Sequence, residues 1–465
     1  MLFLIIRKEI VHNVLSFRFT VTYALLFGLV LLALFLMGSN YQARFEEYTT
    51  AAEEQRAKVA ELGKIEDPSK LFEEYQRASF SGVREPHRLS LLALGLDDVL
   101  PSQVPGSGYM RWVTSEDRLS TNLLFRLFQA PDFAYVVNVV MSLLALMFVF
   151  DAVCGEKEQG TLKLLLSNSV PRDLVLVGKW LGGLVCVTVP FLAAGLAGYV
   201  YGSVSGALGG EGAGTRYLSV FLVSLLYVSA FFTLGLMIST IAHRSSTALL
   251  ASLMVWVCWI LVVPNVAPIT ARLLAPVPGR QVIEAEKQAI GREGNLLQEA
   301  IRKRKVYGDQ QEAEKIQQET ERRQQKLEAF YQERMQTQVG LTQNLARLSP
   351  SASYLFAATR LAGTGPELAR GFQQARERFQ EEHSKRQGNL WQTLQQSGRI
   401  TFTNGRVEVK DRDWFQPEDL PRFRILVEDL TTSLDQAAFD LLLLVVFNVL
   451  FFMLAFVFFL RYDVT

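Results

Sequence analysis

Residues 151–179, DAVCGEKEQGTLKLLLSNSVPRDLVLVGK, gather two carboxylates, a glycine, a threonine, several leucines and basic residues between two apolar runs. Their spacing suits docking to another protein and not bond-making. Glu156 and Glu158 fall near the start of a short helix, where the helix dipole favours carboxylates and where they can face basic residues of a partner. Gly160 and Thr161 continue the series, with Gly160 allowing close approach. Leu162, Leu165 and Leu166 supply an apolar face of the kind that helix-in-groove recognition uses. Pro171 stops the helix, and Arg172 and Lys179 anchor the next apolar run at lipid headgroups.

Other chemistry is missing from the sequence. No G-x-x-x-x-G-K-[ST] pattern occurs, because Gly178-Lys179 is followed by Trp180 and Asp173 stands where the earlier glycine belongs. ATP binding through a P-loop is therefore excluded for this chain. His12, His87, His243 and His383 are scattered, with no H-E-x-x-H, so no metal set is expected. The G-S-V-S-G stretch at 202–206 has Val204 where a nucleophile elbow needs serine. A membrane enzyme is thus not expected. A net charge of +1 lacks the basic excess that nucleic-acid binding requires. Cys154, Cys186 and Cys258 all lie in or beside apolar runs, so the polar blocks contain no disulfide.

The elements that must position residues 151–179 follow from hydropathy. The chain has 465 residues, 49% of them hydrophobic, and these are concentrated in six runs long enough to span a bilayer. The expected organisation is an interfacial amphipathic helix at 1–17, a first span at 18–38, and an extracytoplasmic insertion at 39–131. A second span at 132–151, the docking segment at 152–173, and spans at 174–203, 217–241 and 246–264 follow. A large helical external domain at 265–437 and a sixth span at 438–460 complete the chain. Arg7, Lys8, Arg18, Lys157, Lys163, Arg172, Lys179, Arg244 and Arg461 then share one side, which puts both termini in the cytoplasm. The fold class is an all-α polytopic membrane protein.

Within the external blocks, 40–62 is expected to continue the first span as a helix, and 84–104 to form a small core or a membrane-surface segment. Pro131 and Asp132 suit a helix start. Pro264, Pro268, Pro276 and Pro278 read as an exit linker. Residues 280–347 read as a long solvated helix or helical hairpin, since no heptad is sustained. Residues 348–365, LSPSASYLFAATRLAGTG, form an apolar interruption between two charged arms. Ile400, Phe402, Val407 and Val409 around Asn404-Gly405 predict a β-hairpin. Polar residues inside spans are few: Asn138, Asp440 and Asn448 are candidates for a cargo path, against interfacial hydration or interhelical hydrogen bonding.

The series Glu158, Gly160, Thr161, Leu162, Leu165, then Pro171-Arg172, then Gly178-Lys179, resembles the coupling-helix region of ABC-2 type transporter permeases. Pro86, Leu89, Ser90, Gly95 and Leu96 resemble a segment of the subgroup with enlarged external loops, which includes gliding-motility and NosY-like permeases. The S-P…L-A-G-T-G pattern at 349–365 is similar to a segment of the same subgroup, where it marks the turn between two helical arms. The resemblance implies a separate ATPase subunit that carries ATP and Mg, a second permease chain forming a homo- or heterodimer, and a bacterial cytoplasmic (inner) membrane. It also implies outward movement of a substrate or force transmission. The competing reading is a non-transporting scaffold whose external helices recruit extracytoplasmic partner proteins.

Overall fold

The computed structural model describes residues 2–106, 132–167, 171–204, 206, 208–210, 212–304, 309–403, 406–426 and 428–462. The Asn404-Gly405 turn and the helix start at Pro131 lie outside the described residues. Among those residues, six helices are long and apolar enough to cross a membrane. The architecture is helical throughout except for two small two-stranded sheets.

Helix α1 (Leu2–Val14) precedes α2 (Phe17–Lys64), whose start is capped by the Ser16 side chain accepting from the Phe19 amide. At 48 residues α2 is roughly 70 Å long, more than twice the ~30 Å hydrocarbon core, so the first span does continue beyond it as one helix. The second span, α4, follows a short helix α3 (Pro68–Arg77) and an antiparallel pair, β1 (Ser81–Val83) with β2 (Gln103–Pro105). It runs through Phe133–Tyr135, a π-helical turn at Val136–Met141, and Ser142–Val149. Asp132 caps its start, accepting from the Tyr135 amide at 2.7 Å and from the Leu94 amide at 2.6 Å.

Two short helices come next, α5 (Cys154–Glu158) and α6 (Thr161–Ser167), and then the spans α7 (Arg172–Val204) and α8 (Ala213–Ile241). The fifth span, α9, is built of Ser245–Val257, a π turn at Cys258–Val262, and Val263–Leu274. Pro264 and Pro268 therefore lie inside a helix, contrary to the expected linker. Pro264 follows directly on the π turn, and only Pro276 and Pro278 lie beyond the helix end at Leu274.

The chain divides into two compact units, Val257–Ala352 in one and Met1–Trp256 with Ser353–Thr465 in the other. In the first, α10 (Arg280–Arg304) and α11 (Asp309–Ala346) pair as a helical hairpin. Arg280 and Lys287 bind Glu328 at 3.0 and 2.6 Å, and Glu293 binds Arg323 at 3.1 Å, so the helices run antiparallel. These charges hold the Glu328 carboxyl down to about 2 against the opposing effect of burial.

In the second unit α8 is the core element: 72% of its apolar window is buried, against 17% for the sixth span, α14 (Leu430–Leu460). Residues 350–362 are not a turn between arms but a helix, α12 (Pro350–Ala362). Its part in this unit is enclosed on all sides, with Tyr354, Phe356, Ala357, Ala358, Leu361 and Ala362 at 0% exposure. A mostly apolar helix is the expected product of such burial, and its polar residues Thr359 and Arg360 find hydrogen-bond or ionic partners inside the fold. Tyr354 stacks on Tyr227 of α8 with ring centroids 4.4 Å apart, and its hydroxyl pairs with Ser224 at 2.9 Å.

Residues from both polar blocks of the sequence interleave in this unit. Helix α13 (Pro366–Gln396) and the hairpin β3 (Ile400–Thr403) with β4 (Arg406–Val409) pack with α3, where Trp414 meets Phe72 and Tyr75 edge-on. Residues 84–104 form a small core closed by ions. Asp97, fully buried, pairs with Arg44 at 2.6 Å and with Arg84 at a closer approach. Those guanidinium groups hold the Asp97 carboxyl below its usual range although burial alone would raise it.

Burial is also the main cause that lowers His87, beside Asp97, from 6.5 to about 4; the Asp97 charge opposes it and Arg216 and Arg84 assist. The unfolded chain thus binds a proton at His87 that the folded chain refuses between those values, and stability falls as pH falls through that window. Thermal unfolding of the purified chain should show a Tm that declines from pH 6.5 to pH 4, and His87→Gln should flatten that part of the profile. An unchanged slope in the variant would refute the assignment to His87.

Candidate functional site

The segment at 151–171 is organised by helix ends. An α-helix leaves its last four carbonyls and first four amides without internal partners, and its dipole favours cations at the C-terminus and anions at the N-terminus. Lys157 of α5 donates to the carbonyls of Thr240 and Ala242 (3.3 Å to the latter) at the C-terminal end of α8. The same ammonium lies 4.9 Å from the centre of the Tyr462 ring. Arg172 donates to the carbonyls of Leu460 (2.9 Å) and Tyr462 (3.1 Å) at the C-terminal end of α14. Glu158 does the converse, accepting from the backbone amide (3.0 Å) and hydroxyl (2.9 Å) of Ser245, the first residue of α9. Two cations and one anion from adjoining turns thereby match the polarity of three span ends.

A fourth tie runs to the N-terminal helix. Lys179, 3% exposed at its side chain, binds Glu156 at 2.9 Å and Glu9 of α1 at 3.0 Å, while Lys8 reaches Glu156 at 3.3 Å. Helix α1 can lie this close to α7 because α7 presents glycines to it. A β-carbon at Gly178 would sit 2.6 Å from Ile5 Cγ2, and one at Gly182 would sit 2.8 Å from the Glu9 β-carbon. The root of the segment is buried as well, since the amides of Val153 and Cys154 both donate to Ser239 Oγ of α8, at 3.0 and 3.1 Å.

Beyond Glu158 the chain turns sharply at Gly160, whose φ of +73° lies in the left-handed region. No atom of this chain lies within 4 Å of a β-carbon built there, so within the chain it is the backbone conformation that requires this glycine. The corner resets the helical phase of α6. Leu162 turns inward, fully buried, Leu165 is half-buried, and Thr161 and Leu164 face out. The Leu166 side chain lies outside the described residues.

The structure adds to the sequence reading which partners the residues of this segment find within the chain, Glu158 remaining exposed while it binds Ser245. Glu156 and Glu158, expected to face a partner, are engaged within the chain. Leu164, 68% exposed and absent from the expected set, is the outward apolar side chain among the described residues of α6. Only the +73° corner at Gly160 decides between Leu162 and Leu164, and no sequence pattern carries that phase.

The intramembrane candidates are brought into contact with other helices and not with one another. Asn138, in the π turn of α4, accepts the Tyr227 hydroxyl at both its backbone carbonyl and its side-chain oxygen, each at 2.8 Å. Asp440 of α14, 0% exposed, pairs at 2.5 Å with Arg360 of α12, which also binds Glu367. Asn448 donates to the carbonyl of Leu226 on α8 at 3.1 Å and to its own Leu444. Sequence reasoning missed Arg360, whose signal was a lone cation inside the apolar 348–365 stretch.

A family model described as ABC-2 family transporter protein matches residues 3–464. Among curated proteins, the chain is similar to "Probable ABC transporter permease protein NosY" of Pseudomonas aeruginosa, 40% identical over 63 residues, 13% of this chain and 23% of that protein. The protein of the same description from Stutzerimonas stutzeri is 38% identical over 65 residues, 14% of this chain and 24% of that protein. The matches span about a quarter of the length of these relatives.

Two substitutions probe the geometry. Gly160→Ala puts an L-residue in left-handed backbone and should cost about 1–2 kcal/mol, seen as a lower Tm of the purified chain. Lys179→Met leaves the Glu156 and Glu9 carboxylates without their buried cation and should cost about 3–5 kcal/mol. Adding Glu156→Gln and Glu9→Gln should restore part of that loss. A triple variant no more stable than Lys179→Met would show that the ion cluster is not what joins α1 to α7.

Proposed function

This chain belongs to the ABC-2 transporter family, and on that premise we propose that it is the membrane-spanning permease subunit of an ATP-driven complex whose ATP-binding subunit is a separate polypeptide. The observation that carries the reading is the α5–Gly160–α6 segment, rooted by charge-matched hydrogen bonds on α8 and α9 and by the ion cluster on α7 and α1. Its outer face, with Thr161 and Leu164, is exposed. A partner seated on α6 would therefore push on several spans at once, because the segment is tied to helix ends and not suspended between them.

In this reading ATP and Mg are bound by the partner, since the sequence of this chain has no P-loop. Glu156, Glu158, Lys157 and Arg172 serve as the internal linkage, and Leu164, Thr161 and the half-buried Leu165 as the docking face. Work received there moves a substrate outward or is transmitted as force across the membrane. Two permease chains form the complete pathway. Low coverage of the apolar windows of α2 (22%), α9 (17%) and α14 (17%) leaves surface for lipid and for a second chain. Both termini lie on the side of α5 and α6, the cytoplasmic side, and the interleaved insertions lie outside.

Leu164→Glu places a charge on the proposed docking face without touching any of the internal ties. Affinity purification of the tagged variant from its native membrane should recover at least tenfold less ATPase polypeptide than the parent chain, at an unchanged Tm. Undiminished recovery would contradict the docking face, and absence of any ATPase from the parent preparation would contradict the complex itself.

A further inference from the structure

At the end of α8 remote from the α5–α6 segment lies a cavity of about 800 Å³, bounded by α2, α13, the 422–426 strand-like stretch and the starts of α8 and α14. Its lining holds seven arginines against three glutamates. The charges are not all cancelled. Arg84 is neutralised by Asp97, and Arg360 by Asp440 and Glu367. Arg216, 9% exposed, is bound by neutral oxygens: the carbonyls of Leu361 and Glu428 and the Ser433 hydroxyl. Arg56, Arg422 and Arg424 are exposed and make no ion pair or hydrogen bond among the described residues. Of the three acids, Glu85 pairs with Arg88, Glu367 with Arg360 and Arg370, and Glu428 lies beside Arg216, which leaves Arg56, Arg422 and Arg424 as the cationic excess of the cavity.

The cavity is also partly apolar, and it lies at the starts of α8 and α14. Leu368, Phe423 and Leu426 line it beside the guanidinium groups, with Leu426 74% exposed. Arg216 lies in the first turn of α8, and Gln436 in the second turn of α14. Helix α14 is roughly 46 Å long against a ~30 Å hydrocarbon core, so its opening turns reach the interface. Guanidinium forks match phosphate oxygens bidentately, and Arg is less strongly hydrated than Lys, which suits a semi-enclosed site.

We propose that this cavity binds the phosphate group of a lipid of the adjacent leaflet, with Arg216, Arg422 and Arg424 on the phosphate and Leu426 and Phe423 along the start of the acyl chains. The inference stands on the cavity alone and not on the docking of an ATPase at α6. The full-length chain, purified in a maltoside detergent, is titrated with phosphatidic acid, with diacylglycerol of the same chains, and with inorganic phosphate, reading Tm and retained lipid by native mass spectrometry.

Phosphatidic acid should bind and raise Tm, and diacylglycerol should not. The double variant Arg422→Ala/Arg424→Ala should weaken the phosphatidic acid response at least tenfold while its lipid-free Tm matches the parent. Equal responses to phosphatidic acid and diacylglycerol, or an unaltered response in the double variant, would overturn the site. Inorganic phosphate as effective as phosphatidic acid would overturn the assignment to a lipid.

Discussion

The ends of membrane-spanning helices impose the constraint on which this structure depends. Each end presents unsatisfied backbone groups and half a unit of dipole charge close to a low-dielectric medium, where water satisfies them incompletely. Here one end each of α8, α9 and α14 finds a partner in Lys157, Glu158 or Arg172: Lys157 and Arg172 on carbonyls, Glu158 on an amide. Each such contact contributes about 0.3–2 kcal/mol, modest for stability. Their consequence is mechanical, because one rigid turn is registered against several spans.

The interior repeats the device with uncharged groups. A π turn in α4 displaces the backbone so that the Asn138 carbonyl is available to Tyr227, and Tyr227 in turn stacks on Tyr354 of the enclosed α12. Asp440 and Arg360 then join α12 to α14. Displacement at the α5 end of α8 thus meets a packed polar chain leading to α12, whose C-terminal end borders the arginine-lined cavity. Close-packed elements of this kind move between discrete arrangements more readily than they deform.

The spans were legible in the sequence because hydrocarbon demands some twenty apolar residues and little else satisfies that demand. The helical hairpin of α10 and α11 and the β3–β4 pair were legible from charge density and strand alternation. Residues 350–362 were not, because an apolar thirteen-residue run between Ser349-Pro350 and Gly363 has the same composition whether it turns at a surface or lies buried. The segment at 151–171 was legible from residue types, yet the partners of Glu156 and Glu158 within the chain were not. Their partners are an amide at Ser245 and the ammonium of a lysine more than twenty residues away, and backbone groups leave no trace in sequence. Pro264 and Pro268 misled for a related reason, since a π turn and tertiary packing let the helix pass through them.

The central claim is that α6 receives a separate ATP-binding subunit. The most direct measurement is site-specific photocrosslinking in native membranes from a photoreactive residue at position 164, with a second probe at position 162 as the buried control. The expected result is a crosslink from position 164 to a polypeptide bearing a P-loop, with none from position 162. Crosslinks from position 164 that reach only this chain or lipid would contradict the claim.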